Sequence, residues 1–117
     1  MAYGLLKLAI GLFVVAACFG LAVLIKILKD KSTIKIAVIC HGIIAATGLG
    51  LVFYYVINNP QHSPITSLVL LTVAALGGFT LLSFDLRHKK ISKILVLAHP
   101  LIAICGLVSL IFFVMTV

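Results

Sequence analysis

Two histidines lie inside apolar stretches of this sequence, where an ionisable side chain is unusual. His41 and His99 are 58 residues apart, and aliphatic residues surround both. A neutral imidazole can bind a transition metal, relay a proton or form a hydrogen bond between helices. An ionisable side chain in a membrane segment is costly unless it has a partner, so it marks a candidate functional site. The two histidines are therefore the first candidates for chemistry in this chain.

The two histidines occupy matching positions of an internal repeat. Residues 8–56 align with residues 66–114 without a gap, at the same offset of 58 residues. The matching residues include Leu12 and Leu70, Gly20 and Gly78, Lys35 and Lys93, Ala45 and Ala103, and Gly48 and Gly106. Because other positions have diverged while both halves have a histidine at the same position, we predict that the pair acts together.

The composition is that of a membrane protein, with 64% hydrophobic residues. Four apolar runs cover residues 4–28, 34–57, 64–86 and 91–117. Each exceeds the roughly 20 residues that a helix needs to cross the hydrocarbon core of a bilayer. The runs lack the alternation of barrel strands, and the first is too long for the apolar core of a signal peptide. We predict an all-α protein with one transmembrane domain, residues 1–117, built from repeat units of about 4–57 and 64–117.

The net charge of +7 is distributed unevenly. Eight of the nine Lys and Arg residues lie in or beside the first and third connections, and only Lys7 lies towards the other side. The positive-inside rule places these connections in the cytoplasm and both termini outside. A bacterial inner membrane is the expected location. Anionic lipid headgroups are favoured over nucleic acid as the partner of the basic residues.

The repeat predicts how the histidines are placed. Each unit has two spans, so both units insert in the same orientation, related by a pseudo-two-fold axis along the membrane normal. Short connections predict an up-down-up-down four-helix bundle, in which the second and fourth helices are diagonal partners. Lys35 and Lys93 each precede a histidine by six residues, which places both imidazoles about 9 Å deeper than these lysines.

Small residues accompany both histidines at helical spacing. The sets at i, i+4 and i+7 are His41, Ala45 and Gly48 in one half, and His99, Ala103 and Gly106 in the other. Such a strip allows close helix approach, or leaves room for a flat group between helices. Two neutral imidazoles in an apolar bundle suit the two axial positions of haem iron.

On these residues and this architecture the chain resembles membrane-bound b-type cytochromes, in which histidines on opposing helices of a four-helix bundle hold a haem. The resemblance implies haem b with His41 and His99 as iron ligands, and a role in electron transfer. The porphyrin would lie against the small residues, and Lys35 and Lys93 would lie on the side of the propionates. A single histidine pair implies one haem, so a quinone or a redox protein would have to continue electron transfer.

Other functions remain open. The histidines would form only packing or hydrogen-bonding contacts in a structural or assembly subunit, and they would carry the cargo in a small proton, metal or cation transporter. Small multidrug exporters depend on a membrane-embedded acid, but Asp30 and Asp85 both lie at the cytoplasmic ends of the spans. Association of several copies is also open.

The remaining reactive residues give weaker patterns. Zinc and copper sites use three or four ligands, and Cys18, Cys40 and Cys105 form no C-x-x-C motif. We expect these cysteines to fill the core, and His62 and His88 to be solvated residues of connections. Hydrolase and transferase motifs are absent, so a redox subunit is the class of enzyme that the sequence allows.

Overall fold

The computed structural model describes residues 2–116, and these residues form four α-helices and no strand. The helices are α1 (Ala2–Leu28), α2 (Lys35–Asn58), α3 (Ile65–Leu86) and α4 (Lys93–Met115). The prediction of an all-α chain with four long helices is confirmed for this part of the chain. The fourth apolar run was expected from residue 91, two residues before α4 begins, and its last residue lies outside the described range.

All four helices are long and apolar enough to cross a membrane. The shortest, α3, has 22 residues, which corresponds to about 33 Å at 1.5 Å per residue. The bundle measures 44 × 22 × 20 Å, so its long axis exceeds the roughly 30 Å of a bilayer's hydrocarbon core. Large aliphatic side chains are exposed on every helix, as expected where lipid rather than water is the surrounding solvent.

The helices α1 and α3 end in the same way. Asp30 and His88 follow them with φ of 55° and 54°, in the left-handed region that terminates many helices. In both cases the amide of the following residue donates to the carbonyl five residues before it, at 2.9 and 3.0 Å. Asp30 and His88 are matching positions of the repeat, so the duplicated sequence also duplicates local structure.

Neighbouring helices in the bundle are antiparallel. Near the start of α1, the Tyr3 ring packs on Tyr55 at the end of α2 and on Phe113 at the end of α4. Packing is most extensive within the hairpins α1–α2 and α3–α4, and less extensive between them. Over residues 2–116 the α2 and α4 backbones are not in contact, so the two helices that carry the histidines are diagonal.

The buried core lies towards one end of the bundle. We name two regions: the terminal half (residues 2–15, 46–73 and 104–116) and the basic half (residues 16–45 and 74–103). The continuous core cluster belongs entirely to the terminal half and consists of Leu6, Ala9, Phe13, Val52, Tyr55, Leu71 and Leu110. The buried hydrophobic residues of the basic half are smaller: Ala16, Ala37, Ala74 and Val96. Both histidines lie in the basic half.

Candidate functional site

The structure brings the two histidine rings together across the bundle. The ring centres of His41 and His99 are 6.1 Å apart, and their planes are inclined at 88°. Both residues are half-buried. They extend from diagonal helices, so the two imidazoles meet although the α2 and α4 backbones do not.

Each ring is held by a carbonyl of the helix next to it in sequence. His41 Nδ1 donates to the Ala16 carbonyl at 2.8 Å, and His99 Nδ1 donates to the Ala74 carbonyl at 2.7 Å. A carbonyl can only accept, so the hydrogen of the neutral imidazole is on Nδ1 and the lone pair is on Nε2. Metal-binding histidines typically have this arrangement, with the second nitrogen donating to a carbonyl or carboxylate.

A glycine of the adjacent helix lies close to Cε1 of each ring. A methyl group added at Gly20 would be 3.0 Å from Cε1 of His41, and one added at Gly78 would be 3.1 Å from Cε1 of His99. Each glycine follows the hydrogen-bonding alanine by four residues and so lies on the same helix face. Any larger side chain at these positions would displace the ring. Ala16, Ala74, Gly20 and Gly78 therefore fix the orientation of both histidines.

The small residues that follow the histidines along α2 and α4 are placed in two ways. Ala45 and Ala103 are half-buried, one turn from the rings. Gly48 and Gly106 are buried in the terminal half, where they contact side chains of the adjacent helix. A methyl group at Gly48 would lie 3.1 Å from the Phe13 ring. A methyl group at Gly106 would lie 2.8 Å from Cγ of Leu71. The predicted role of these four residues beside a ligand stays a prediction.

At the outer edge of the basic half, Lys35 forms an ion pair with Asp85. The Nζ atom of Lys35 lies 2.7 Å from Oδ2 of Asp85, and the Thr33 hydroxyl donates to the same oxygen at 2.9 Å. Nζ of Lys35 also donates to Oγ1 of Thr33 at 3.1 Å. Thr33 and Lys35 belong to the first hairpin and Asp85 to the second, so the two bonds to Asp85 join the hairpins. Lys93 is exposed at the start of α4.

The spacing of the rings suits a metal ion between them. An ion bound by one imidazole nitrogen on each side at about 2.0 Å would hold the ring centres about 6 Å apart. The separation of 6.1 Å agrees with that distance. Within residues 2–116 no three His, Cys, Asp or Glu side chains are placed to hold one metal ion, and three is the smallest number that a protein-only zinc or copper site would use.

The other two histidines lie in connections, outside the four helices. His62 and His88 are exposed residues of connections, and the His62 ring packs 4.7 Å from the Phe113 ring. The three cysteines are free thiols; Cys18 and Cys105 are exposed and Cys40 is half-buried, so the prediction that they fill the core is wrong. Helices that are apolar on all sides give no pattern that separates a packed face from an exposed one.

The sequence analysis did not predict the two carbonyl acceptors, nor that Gly20 and Gly78 lie against the rings. The repeat contained one signal for the two hydrogen bonds: Ala16 precedes His41 by 25 residues, and Ala74 precedes His99 by the same number. No protein-family model, curated protein or solved structure matches the chain. The function is therefore inferred from the geometry of the site.

Proposed function

We propose that this chain is a membrane protein that binds one haem b between His41 and His99 and transfers electrons. The observation that supports the proposal is the matched geometry of the two rings. They lie 6.1 Å apart, and both bind a carbonyl through Nδ1, which leaves Nε2 of each ring available to a metal. Bound haem would supply a one-electron redox couple.

The residues around the pair would orient the ligands and exclude water. The carbonyls of Ala16 and Ala74 fix the tautomer and the direction of each ring, and they raise the basicity of the free nitrogen. Gly20 and Gly78 allow the rings to lie close to α1 and α3. The apolar helix walls lower the local dielectric constant, which tunes the redox potential of a bound iron.

We also propose a membrane arrangement for the bundle. The four helices cross a bacterial inner membrane, with the pseudo-two-fold axis of the repeat along the membrane normal. The basic connections lie in the cytoplasm, near anionic headgroups, and the termini lie outside. The helix lengths and the one-sided distribution of Lys and Arg support this arrangement.

Single cysteines in the connections test the orientation. Gln61→Cys and Lys90→Cys place a thiol in the second and third connections, and the parent chain gives the background from the native cysteines. A membrane-impermeant maleimide should label Gln61→Cys in intact cells and Lys90→Cys only after permeabilisation. The opposite pattern would invert the proposed orientation.

A single haem in the basic half needs an electron partner. A quinone in the bilayer or a redox protein at the membrane surface fits that requirement, and association of several copies is compatible with it. Chemically reduced protein should be reoxidised by an added quinone at a rate that depends on the quinone concentration. A rate independent of quinone would favour a protein partner.

Substitution of the histidines tests haem ligation. Haemin is titrated into the purified chain in mild detergent, and His41→Ala and His99→Ala are compared with His62→Ala and His88→Ala. The parent chain and the two connection variants should give a low-spin, six-coordinate spectrum, and either pair variant should lose it. If both pair variants kept the low-spin spectrum, the ligands would lie elsewhere.

A structural or assembly subunit is the second candidate, and the Nδ1 bonds favour it as well. Each bond joins two helices of one hairpin and stabilises the bundle whether or not a metal binds. A ligand that binds only the folded state raises its stability. Haemin should therefore raise the melting temperature of the parent chain if the haem proposal holds, and leave it unchanged if the histidines only hold helices together.

A further inference from the structure

The two repeat units differ at the outer edge of the basic half. Lys35 and Lys93 are matching positions, and each precedes its histidine by six residues. The ammonium of Lys35 is bound by Asp85 and Thr33. In the alignment of the two repeat units, Ile27 matches Asp85 and Ile91 matches Thr33. Both repeat units therefore have the lysine, but the acid that pairs with Lys35 is replaced by an isoleucine at the position that would pair with Lys93.

The difference changes the charge available on each side. Lys35 and Asp85 together are neutral, and the carboxylate, at 19% side-chain exposure, is more shielded than the ammonium, at 51%. Lys93 is exposed, and within residues 2–116 the structure shows no ion pair or side-chain hydrogen bond from it. An anionic group approaching the histidine pair from the basic side therefore meets a neutralised lysine on one side and a full positive charge on the other.

We propose that Lys93, and not Lys35, pairs with the anionic edge of the ligand that His41 and His99 hold, through a carboxylate of haem. This inference rests on the proposed function. Lys93 begins α4, and its flexible apolar stem lets the ammonium adjust to a carboxylate at the membrane edge. Lys35 instead pairs with Asp85 and so joins the two hairpins.

The strength of the bond between the Lys93 ammonium and a haem carboxylate sets the size of the expected change in affinity. An ammonium–carboxylate bond is stronger than a neutral hydrogen bond, but water at the membrane edge weakens it. We expect removal of the Lys93 charge to weaken haemin binding about threefold to tenfold. Removing Lys35 together with its partner Asp85, which leaves the net charge of the edge unchanged, should keep the affinity within about twofold.

Titration with two ligands separates the carboxylate contact from other roles. Haemin and its dimethyl ester, which lacks the two carboxylates, are titrated in uncharged detergent into the parent chain, Lys93→Gln and the double variant Lys35→Gln/Asp85→Asn, which removes the neutral ion pair as a whole. Lys93→Gln should weaken haemin binding and leave ester binding unchanged, and the double variant should change neither. Equal effects of the two variants on haemin, or an equal effect of Lys93→Gln on both ligands, would overturn the inference.

A second variant keeps Lys93 and neutralises it instead. Ile27→Asp supplies the carboxylate that the second lysine lacks, and Ile27→Asn is the uncharged control. Ile27→Asp should lower the haemin affinity as Lys93→Gln does, and Ile27→Asn should not. An unchanged affinity in Ile27→Asp would contradict the role of Lys93. If the parent chain gave no low-spin spectrum with either ligand, the proposed function itself would fail.

Discussion

The terminal half and the basic half of the bundle are built differently, although each half contains parts of all four helices. In the terminal half, Leu6, Val52 and Leu110 are completely buried, and aromatic rings close the end of the bundle. In the basic half, the buried hydrophobic residues are three alanines and Val96, and the histidines are only half-buried. The continuous apolar core therefore lies in the terminal half, and the basic half contains the histidine pair.

The physics of membrane association explains this division. Helices gain little from burying apolar surface when lipid is the alternative, so close packing and polar bonds hold them together. The terminal half uses packing, with Phe13 against Gly48 and Leu71 against Gly106, together with one buried polar bond, which the Ser67 hydroxyl donates to the Ser109 hydroxyl at 3.1 Å. The basic half uses polar bonds: the two histidine–carbonyl bonds and the ion pair of Lys35 with Asp85.

The largest effect on stability should come from truncating a packed side chain in the terminal half. Leu110→Ala removes a side chain with 0% exposure and should lower the free energy of unfolding by about 2–5 kcal/mol. Leu101→Ala is the matched control, because Leu101 is 62% exposed in the basic half. Unfolding by titration with a denaturing detergent measures both. Equal losses in the two variants would remove the distinction between the halves.

Adding a methyl group at the helix contact of the terminal half should have the next largest effect. In Gly106→Ala the new methyl would lie 2.8 Å from Cγ of Leu71, and we expect a loss of about 1–3 kcal/mol. Gly42→Ala is the control, since nothing lies within 4 Å of a methyl there. It should be neutral or gain up to about 1 kcal/mol from helix propensity. A tolerated Gly106→Ala would show that the contact is loose.

A methyl group added against a histidine ring should affect the proposed ligand site more than the fold. Gly20→Ala would displace the His41 ring and weaken its bond to Ala16, at a cost of about 0.5–1.5 kcal/mol. Haemin affinity should fall in Gly20→Ala and also in Gly78→Ala. Gly106→Ala should instead lower stability with a smaller change in affinity. Haemin affinity and the free energy of unfolding are measured for each variant. A larger loss of affinity in Gly106→Ala than in Gly20→Ala would contradict the distinction between the two halves.

The smallest effect should come from the ion pair between the hairpins. Asp85→Asn should lower the free energy of unfolding by less than about 1 kcal/mol, because Lys35 is half-exposed and water screens the pair. The loss should shrink as salt is added. Asp30→Asn, at an exposed position, is the control and should show no comparable salt dependence. A large, salt-independent loss in Asp85→Asn would indicate a buried network.

The sequence predicted the helices well, because length and apolar composition decide membrane spans. It also paired His41 with His99 through the repeat. It did not predict where the core lies, because helices that are apolar on all sides give no period that marks the packed face. The carbonyl acceptors on Ala16 and Ala74 depend on the relative register of adjacent helices. No local pattern encodes that register.

The outer edge of the basic half shows the same limit of prediction from sequence. Sequence symmetry assigned Lys35 and Lys93 the same role, whereas the structure pairs one of them with Asp85. That contact joins residues 50 positions apart, on helices that only the folded bundle brings together. Matching residues of a repeat therefore share a local position without sharing a partner.

The absorption spectrum of the chain purified from membranes of haem-producing cells tests the central claim most directly. We expect one haem per chain, with a Soret band and a sharp α-band after reduction, both lost when His41 and His99 are replaced together by alanine. A colourless protein that also fails to take up added haemin would contradict it.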